Sequence, residues 1–144
     1  MLQRVSRAVV RVDDEVRGEI GHGLLVLLAI EVGDSVEKAE RLAGKIVRLR
    51  VFENEDGRFD RSLLDIRGAA LVVSQFTLLA DTAKGNRPSF SRAAAPELAE
   101  PLVNRFCGSL RTLGVPVETG HFGAKMAVEL SNEGPVTILL DTEN

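Results

Sequence analysis

The segment from Gln3 to Ile30 has the hydrophobic pattern of β-strands. Valines recur between polar residues, and glycine or aspartate interrupts the pattern at Asp13-Asp14, Gly18 and Gly21-His22-Gly23. This spacing predicts three strands joined as a meander. The run from Leu24 to Ile30 is continuously apolar, which is typical of a strand covered on both faces. We therefore expect this strand to lie deep in the core.

Two later segments have helical spacing. Asp34 opens a pattern similar to a capping box, and the apolar residues that follow predict a helix of about four turns that ends near Val51. The second pattern runs from Ala94 to Leu113. Pro96 suits the first turn of a helix, whereas Pro101 deeper in the helix would remove a hydrogen bond. The regular part of the second helix is therefore expected to begin nearer Pro101.

The stretch from Ala69 to Leu79 is predicted to be a core strand, because it is apolar and rich in β-forming residues. Only Ser74, Gln75 and Thr77 interrupt it. Polar groups inside an otherwise apolar strand are the most informative local feature of the chain. The next stretch, Asp81 to Ser91, carries glycine, asparagine and proline and is predicted to be a loop.

After Gly114, a predicted helix stop, the sequence predicts three short strands, at Val115–Val117, Met126–Leu130 and Val136–Asp141. The order of strands and helices predicts an α+β fold with a single domain over residues 1–144. In this fold a mainly antiparallel, barrel-like β-sheet packs against two helices. The short connections between successive strands exclude a purely parallel, doubly wound sheet.

Composition narrows the class of protein. The chain has 144 residues, 44% of them hydrophobic, which is enough for one sizeable core. Its net charge of -3 argues against non-specific coating of nucleic acid, because such binding depends on many Lys and Arg contacts to phosphate. Any contact with RNA must therefore be local. Two groups of basic residues could make such a contact: Arg4, Arg7 and Arg11 near the N-terminus, and Lys84, Arg87 and Arg92 in the middle of the chain. Two interpretations stay open for them, solvated surface charge and a phosphate-positioning rim.

Cys107 is the only cysteine, so an internal disulfide and a thiolate metal cluster are excluded within one protomer. We interpret it as a buried structural thiol. No apolar run approaches the roughly 18 residues that cross a bilayer, and the first residues lack the apolar core of a signal peptide. These observations predict a cytoplasmic protein without a membrane partner.

The sequence lacks the common catalytic motifs. His22 and His121 are the only histidines and neither lies in a motif for nucleophilic catalysis, so we interpret both as structural. HExxH and CxxC metal motifs are missing, as is the GxSxG elbow expected of a small-molecule esterase. The sequence therefore predicts no required metal and no cofactor.

Two short segments carry a resemblance to a known family. Ser74-Gln75-Phe76-Thr77-Leu78 and Gly134-Pro135-Val136-Thr137 are similar to the two signature motifs of the D-aminoacyl-tRNA deacylases. Three other segments match the family in the same order: Gln3-Arg4-Val5, Gly85 to Phe90, and Thr119 to Met126. The resemblance covers essentially the whole chain. Its departures, such as the absence of Tyr and Trp, concern local packing.

The resemblance implies a hydrolase that acts on carboxylic ester bonds. Such an enzyme releases the D-amino acid and free tRNA from D-aminoacyl-tRNA, as a proofreading step in translation. The resemblance also implies a cytoplasmic homodimer whose partner is the aminoacylated 3′ end of tRNA, and no DNA partner is expected. Each active site is expected at or beside the dimer interface, where it receives the Gly134-Pro135 segment of the partner chain with a cis peptide bond before Pro135.

Main-chain atoms are suited to reading chirality whatever the side chain. A side-chain pocket would select by amino-acid type, whereas carbonyl oxygens held by the fold exclude one side of Cα. A cis Gly134-Pro135 segment is expected to aim two carbonyls into the pocket, with Gly134 allowing close approach. Such a filter rejects L-aminoacyl esters but has nothing to reject in glycine, so cleavage of glycyl-tRNA is also expected.

The resemblance also assigns site residues. It places Ser74, Gln75, Phe76 and Thr77 at the catalytic centre, where the 2′-hydroxyl of the terminal adenosine assists hydrolysis and the main-chain amides of the last two form an oxyanion hole. Gln75 is expected to bond the α-amino or ribose end, and Phe76 to stack on the adenine. Gly134 and Pro135 form the chiral filter. Arg7 is expected to help hold that filter, and the other pocket candidates are Ser89, Phe90, Phe122, Met126 and Thr137.

Alternatives stay open beside this assignment. Thr77 as a covalent nucleophile would need a nearby base, which the sequence does not identify. A non-enzymatic nucleic-acid-binding dimer would clamp phosphate without turnover, and acidic net charge counts against it. Simple core packing competes for Phe76, Phe122 and Met126, and solvent exposure for Gln75.

Overall fold

Eight strands, two α-helices and one short 3₁₀ helix make up the fold in the computed structural model, which describes residues 1–143. In chain order these elements are β1 (Leu2–Val12), β2 (Glu15–Ile20), β3 (Gly23–Leu28), α1 (Val36–Arg48), β4 (Phe52–Glu53), β5 (Phe59–Arg61), β6 (Ala69–Ser74), the 3₁₀ helix (Phe76–Leu79), α2 (Pro96–Thr112), β7 (Val117–Thr119) and β8 (Ala127–Ile138). β4 and β5 form a separate hairpin, and the other six strands form one sheet. The predicted α+β fold with two helices is confirmed.

Strand β1 is the centre of the sheet. It pairs with β8 along one edge, and β2 and β3 follow one another along the other edge. Ala8 pairs with Ile20 and Val5 pairs with Gly23, so β2 and β3 are two halves of one bent strand. The predicted meander is therefore wrong, because β2 and β3 both pair with β1 and not with each other.

Two of the pairings are parallel, β3 with β6 and β6 with β7. Each follows a connection that contains a helix, and parallel neighbours need such long crossovers. The sheet is therefore mixed, where a mainly antiparallel one was expected. It curls until β2 approaches β7, and a Cβ on Gly18 would lie 2.8 Å from the carbonyl oxygen of Thr119. The sheet is thus nearly closed and barrel-like, and Gly18 lies inside β2 instead of marking a turn.

The later strands differ from the prediction in extent. β6 stops at Ser74 because its partner β3 ends at Leu28, whose carbonyl accepts the last amide of the run, that of Gln75. The chain then turns into the 3₁₀ helix, where a continuous strand to Leu79 was predicted. The two strands predicted at residues 126–130 and 136–141 are one strand, β8, and the one predicted at 115–117 is β7, which runs from 117 to 119.

Both helices begin elsewhere than predicted. Ser35 caps α1, since its hydroxyl accepts the amide of Lys38 at 3.2 Å, while Asp34 lies one residue outside the helix. α2 begins at Pro96 and contains Pro101 within it. This inner proline is tolerated because the carbonyl that loses its partner lies in the exposed first turn, where water can satisfy it.

Two apolar clusters lie on opposite faces of β3. Leu24 and Val26 pack with the helices, whereas Leu25 lies in the interior of the curled sheet. The prediction that this strand is covered on both faces is confirmed. None of the helices within the described 143 residues is long and apolar enough to cross a membrane.

Candidate active site

The Gly-Pro segment leaves the regular ladder of β8 as a bulge. Gln3 of β1 pairs with Thr137 and Val5 pairs with Asn132, so residues 133–136 face only the one β1 residue that lies between. We call these four residues the Gly-Pro bulge. Bulges bend a strand and re-aim its residues, and they occur often next to active sites.

The bulge presents main chain to solvent. The Gly134-Pro135 peptide bond is cis, as the resemblance implies, and both residues are exposed. Gly134 has a φ of 126°, which residues with a side chain rarely adopt. A Cβ at this position would lie 2.8 Å from Cγ2 of Val136 and 3.1 Å from Nη2 of Arg4. The bulge therefore has room for glycine only.

A buried arginine, Arg4, holds the bulge from behind. Its Nε donates to the carbonyl oxygen of Glu133 at 3.1 Å, and that residue's carboxylate lies 3.9 Å away. Its Nη1 donates to the carbonyl oxygen of Val51 at 2.9 Å, and its Nη2 donates to Oε1 of Glu53 at 3.3 Å. The side chain is only 4% exposed. A buried guanidinium is stable only with such partners, so these contacts tie the bulge to the β4–β5 hairpin.

Asn132 braces the two ends of the bulge. Its Oδ1 accepts the amide of Val136 at 3.2 Å, and its Nδ2 donates to the hydroxyl of Thr137 at 3.1 Å. Gln3 donates to the same hydroxyl at 3.3 Å. Thr137, a predicted pocket residue, thus lies at the base of the bulge. Sequence reasoning missed Asn132, whose only signal is an amide two residues before a glycine.

Among the described residues, Arg7 makes no hydrogen bond or ion pair with the bulge. Its Nε donates to Glu19 at 3.1 Å, and its side chain is 60% exposed. The ladder is irregular here, because Ser6 of β1 faces no residue of β8 before Arg7 pairs with Ser131. The prediction that Arg7 holds the Gly-Pro segment is therefore not met within the protomer, and Arg4 makes that contact.

The second motif forms the end of β6 and the start of the 3₁₀ helix. Phe76 is 55% exposed and packs edge to face on Phe90, with ring centroids 5.1 Å apart, so it is not a core residue of the protomer. The side-chain amide of Gln75 donates to the hydroxyl of Thr77. Within residues 1–143, the main-chain amides of Phe76 and Thr77 have no hydrogen-bond acceptor, as is usual for the first residues of a helical turn.

The remaining candidates surround these two segments. Ser89 closes the predicted loop through two backbone hydrogen bonds with Asp81, at 2.8 and 2.9 Å, and so sets Phe90 beside Phe76. Phe122 packs on the cluster between helices and sheet, and Met126 on the cluster inside the sheet. Core packing is therefore part of what these last two residues do.

The two motifs lie apart within one protomer. Arg4, behind the bulge, pairs with Leu24 of β3, whereas Ser74 pairs with Leu28 four residues further along the same strand. That offset is about 13 Å along the strands, and three inter-strand spacings from β8 to β6 add about 14 Å across the sheet. Measured along the sheet, the Gly-Pro bulge and the Ser74–Thr77 segment of one protomer are therefore well separated.

Two further titratable residues are His22 and Cys107. His22 lies at the bend between β2 and β3, with its ring edge on Phe52 at 5.4 Å and its Nε2 3.7 Å from the carboxylate of Glu133. Cys107 is buried, and burial raises the pKa of its thiol. No group of three His, Cys, Asp or Glu side chains arranged for a metal ion occurs in the part of the chain that the structure describes.

A cavity of about 300 Å³ lies behind the 3₁₀ helix, between β3 and both α-helices. Leu78 and Leu79 line it on the side of the motif. Met1 also lines it, and the amine of Met1 donates to the carbonyl oxygen of Leu27 at 2.8 Å. Partial burial lowers the pKa of that amine. Sequence reasoning missed this cavity because its walls come from segments far apart in the chain.

Nearly the whole chain matches one family. A sequence model described as D-Tyr-tRNA(Tyr) deacylase matches residues 1–141. The chain belongs to this family. Membership makes it a hydrolase that acts on an ester bond.

Relatives named D-aminoacyl-tRNA deacylase cover nearly all of this deacylase. The protein of Roseiflexus sp. (strain RS-1) is 65% identical over 142 residues, which are 99% of this chain and 92% of that protein. The protein of Thermomicrobium roseum is 58% identical, with 99% and 92% covered. The protein of Ruegeria pomeroyi is 57% identical, with 98% and 97% covered.

Two solved structures share the fold of this deacylase. One, named c-Myc DNA Unwinding Element Binding Protein, has a TM-score of 0.91 and 43% identity, covering 97% of this chain and 95% of that one. The other is described as a probable eukaryotic D-amino acid tRNA deacylase and has a TM-score of 0.79, with 92% of each chain covered. At 19% identity this second likeness shows the fold alone.

Proposed function

We propose that this deacylase hydrolyses the ester bond of D-aminoacyl-tRNA in the cytoplasm and releases the D-amino acid and free tRNA. The observation that carries the proposal is the Gly-Pro bulge, an exposed main-chain element fixed by the buried Arg4. The substrate follows from the family and from the names of the relatives.

The active site is proposed to form between two copies of the chain. Within a protomer the bulge and the Ser74–Thr77 segment are separated by about 13 Å along the strands and about 14 Å across them, so a second copy must supply one of the two. Exposed apolar side chains accompany both segments, Phe76 at 55% and Leu130 at 37% exposure. Apolar residues exposed near functional segments favour burial against a partner.

The bulge is proposed to act as the chiral filter. Its carbonyls cannot rotate away, because Arg4 and Asn132 hold the backbone on both sides of Gly134. An L side chain on the substrate would collide with this backbone, whereas a D side chain would point away from it. Glycine carries no side chain, so glycyl-tRNA is proposed to be cleaved as well.

Hydrolysis is proposed to be assisted by the RNA. An aminoacyl ester is already activated, so orientation and a few fixed donors supply much of the acceleration. The main-chain amides of Phe76 and Thr77 are suited to hold the developing oxyanion. The 2′-hydroxyl of the terminal adenosine then activates the attacking water.

The side chains of the motif are proposed to position the substrate. Gln75 already bonds the Thr77 hydroxyl, so its amide is oriented for the ribose or α-amino end. The exposed ring of Phe76, supported by Phe90, is suited to stack on the adenine. Thr77 as a covalent nucleophile is the rival mechanism, but among the described residues its hydroxyl bonds an amide and no base.

A deacylation assay with D-Tyr-, L-Tyr- and glycyl-tRNA tests this function. We expect rapid release of D-Tyr and glycine and no enzymatic release of L-Tyr. Rapid loss of the L-Tyr ester would contradict chiral exclusion. Binding of nucleic acid without any turnover would favour a non-enzymatic binding dimer, and hydrolysis of a free D-amino-acid ester at a similar rate would favour a small-molecule esterase.

A further inference from the structure

The β4–β5 hairpin contacts the arginine that holds the Gly-Pro bulge. Glu53 at its first strand accepts a hydrogen bond from Nη2 of Arg4 at 3.3 Å. The ring of Phe59, on its second strand, lies 5.6 Å from the guanidinium carbon. Two separate side chains of one hairpin thus contact the same cation, one through charge and one through its aromatic face.

These contacts engage the one guanidinium nitrogen of Arg4 that the main chain does not hold. The two main-chain acceptors of Arg4, at Glu133 and Val51, engage Nε and Nη1 and leave Nη2 to the hairpin. Nη2 is also the atom that comes within 3.1 Å of the position a Cβ would take on Gly134. The atom held by the hairpin is therefore the atom that packs against the bulge.

Among the described residues, Glu53 and Phe59 each make their ion-pair or aromatic contact with Arg4. Phe59 is 52% exposed, and its one described ring contact is with the guanidinium of Arg4. The side chain of Glu53 is 49% exposed, and its one described ion pair is with Arg4. Both residues lie on a hairpin that forms its own two-stranded sheet, apart from the six-stranded one.

We propose that Glu53 and Phe59 of the β4–β5 hairpin are specificity-determining positioning residues that act through Arg4 on the Gly-Pro bulge. The inference rests on the proposed chiral filter. Loosening Nη2 lets the bulge backbone shift toward the hairpin, which opens space for an L side chain and misplaces the filter for a D substrate. The hairpin thus sets how strictly the enzyme separates D from L esters.

The test compares five variants with the wild type by kcat/KM for D-Tyr-tRNA and L-Tyr-tRNA and by thermal unfolding. Glu53→Gln and Phe59→Leu are each expected to lower the ratio of D to L cleavage about fivefold, and the double variant about twentyfold, in line with one lost cation–π contact and one lost charge-assisted bond. Phe59→Trp keeps an aromatic face and is expected to retain the wild-type ratio. Glu55→Gln is the matched control, because Glu55 lies on the same hairpin, is 92% exposed and pairs only with Arg61 among the described residues.

The outcomes separate positioning from simple stability. A structural role alone would lower the unfolding temperature and reduce both activities equally, leaving the ratio unchanged, and that result would overturn the inference. A double variant with the wild-type ratio would do the same. If the wild-type enzyme itself fails to separate D from L esters, the proposed filter is wrong, and this failure is distinct from a failure of the hairpin's role. Glu53→Gln removes only a charge at the surface and is expected to fold. The ratio of D to L cleavage can therefore be measured on this single variant even if the double variant does not fold.

Discussion

Replacing Gly134 with Ala tests the bulge directly. A φ of 126° is strained for any residue with a side chain, at a cost of about 1–3 kcal/mol. The new methyl would also lie 2.8 Å from Cγ2 of Val136 and 3.1 Å from Nη2 of Arg4. Ordinary contacts of this kind begin at 3.4 Å, and the main-chain nitrogen of Val136 also lies only 3.1 Å from the new methyl, so the bulge or its neighbours must shift by several tenths of an ångström.

The expected loss follows from that movement. A misplacement of about 1 Å at a reacting centre can cost about a hundredfold in rate, so we expect Gly134→Ala to lower kcat/KM for D-Tyr-tRNA roughly tenfold to a hundredfold. The shift is resisted on both sides, because the amide of Val136 bonds Asn132 and Nη2 of Arg4 bonds Glu53. The ratio of D to L cleavage is therefore expected to fall with the rate.

Gly33→Ala is the matched control. Gly33 has a φ of 91°, and a methyl group placed there would meet no atom within 4 Å beyond its chain neighbours, so alanine meets strain of the same kind without a clash. Deacylation of D-Tyr-tRNA and L-Tyr-tRNA should be measured beside urea unfolding for both variants. Both variants are expected to lose stability, Gly134→Ala the more of the two because of its clash, and activity is expected to fall in Gly134→Ala alone. Wild-type activity and chirality in a folded Gly134→Ala protein would refute the role of the bulge.

Three further outcomes are expected. Thr77→Ala should keep activity within about tenfold of wild type, because RNA-assisted hydrolysis needs no nucleophile from the protein; near-complete loss of turnover would favour the covalent mechanism. Hydrogen bonds from the amide and hydroxyl of Ser62 hold the pKa of Asp65 below its ordinary value of 3.8. The Asp65 carboxylate therefore stabilises the fold fully above pH 3.8, and this stabilisation is lost as the pH falls through the lowered pKa. Urea unfolding of Asp65→Asn should show a deficit at pH 7 that narrows toward pH 3, and a constant deficit would contradict this. Because burial raises the pKa of the Cys107 thiol, a thiol reagent at pH 7 should react slowly with the folded protein and quickly in urea, and equal rates would argue against a buried thiol.

The local elements followed from the sequence, but the pairing of strands did not. The apolar pattern predicts β1 to β3 and both helices, because burial on one or two faces is visible in the spacing of residues. Which strand neighbours which depends on contacts between distant segments. The end-to-end arrangement of β2 and β3 and the parallel position of β6 therefore could not be read from the chain. The β4–β5 hairpin was missed because its strands have only two and three residues.

The site was predictable only as far as its motifs. The Ser74–Thr77 and Gly134-Pro135 segments stand out as motifs, whereas the side chain that supports the second one does not. Arg4 and Arg7 look equivalent in the sequence, and the irregular ladder at Ser6 decides their environments. The 3₁₀ turn at Phe76 was predicted as strand because apolar residues continue to Leu79, although the partner strand has already ended.

The number of residues in the Gly-Pro bulge constrains how this protein can vary in length. From Gln3 to Val5 the β1 strand moves on by two residues, whereas from Thr137 to Asn132 the β8 strand moves on by five. The number of extra residues in β8 is therefore odd. Side chains alternate between faces along a strand, and an odd excess switches the face. Val128 accordingly packs inside the curled sheet, whereas Ile138 packs on the cluster beside the helices. Losing or gaining one residue would turn Ile138 away from the helices, so natural relatives and engineered forms should change the bulge in steps of two.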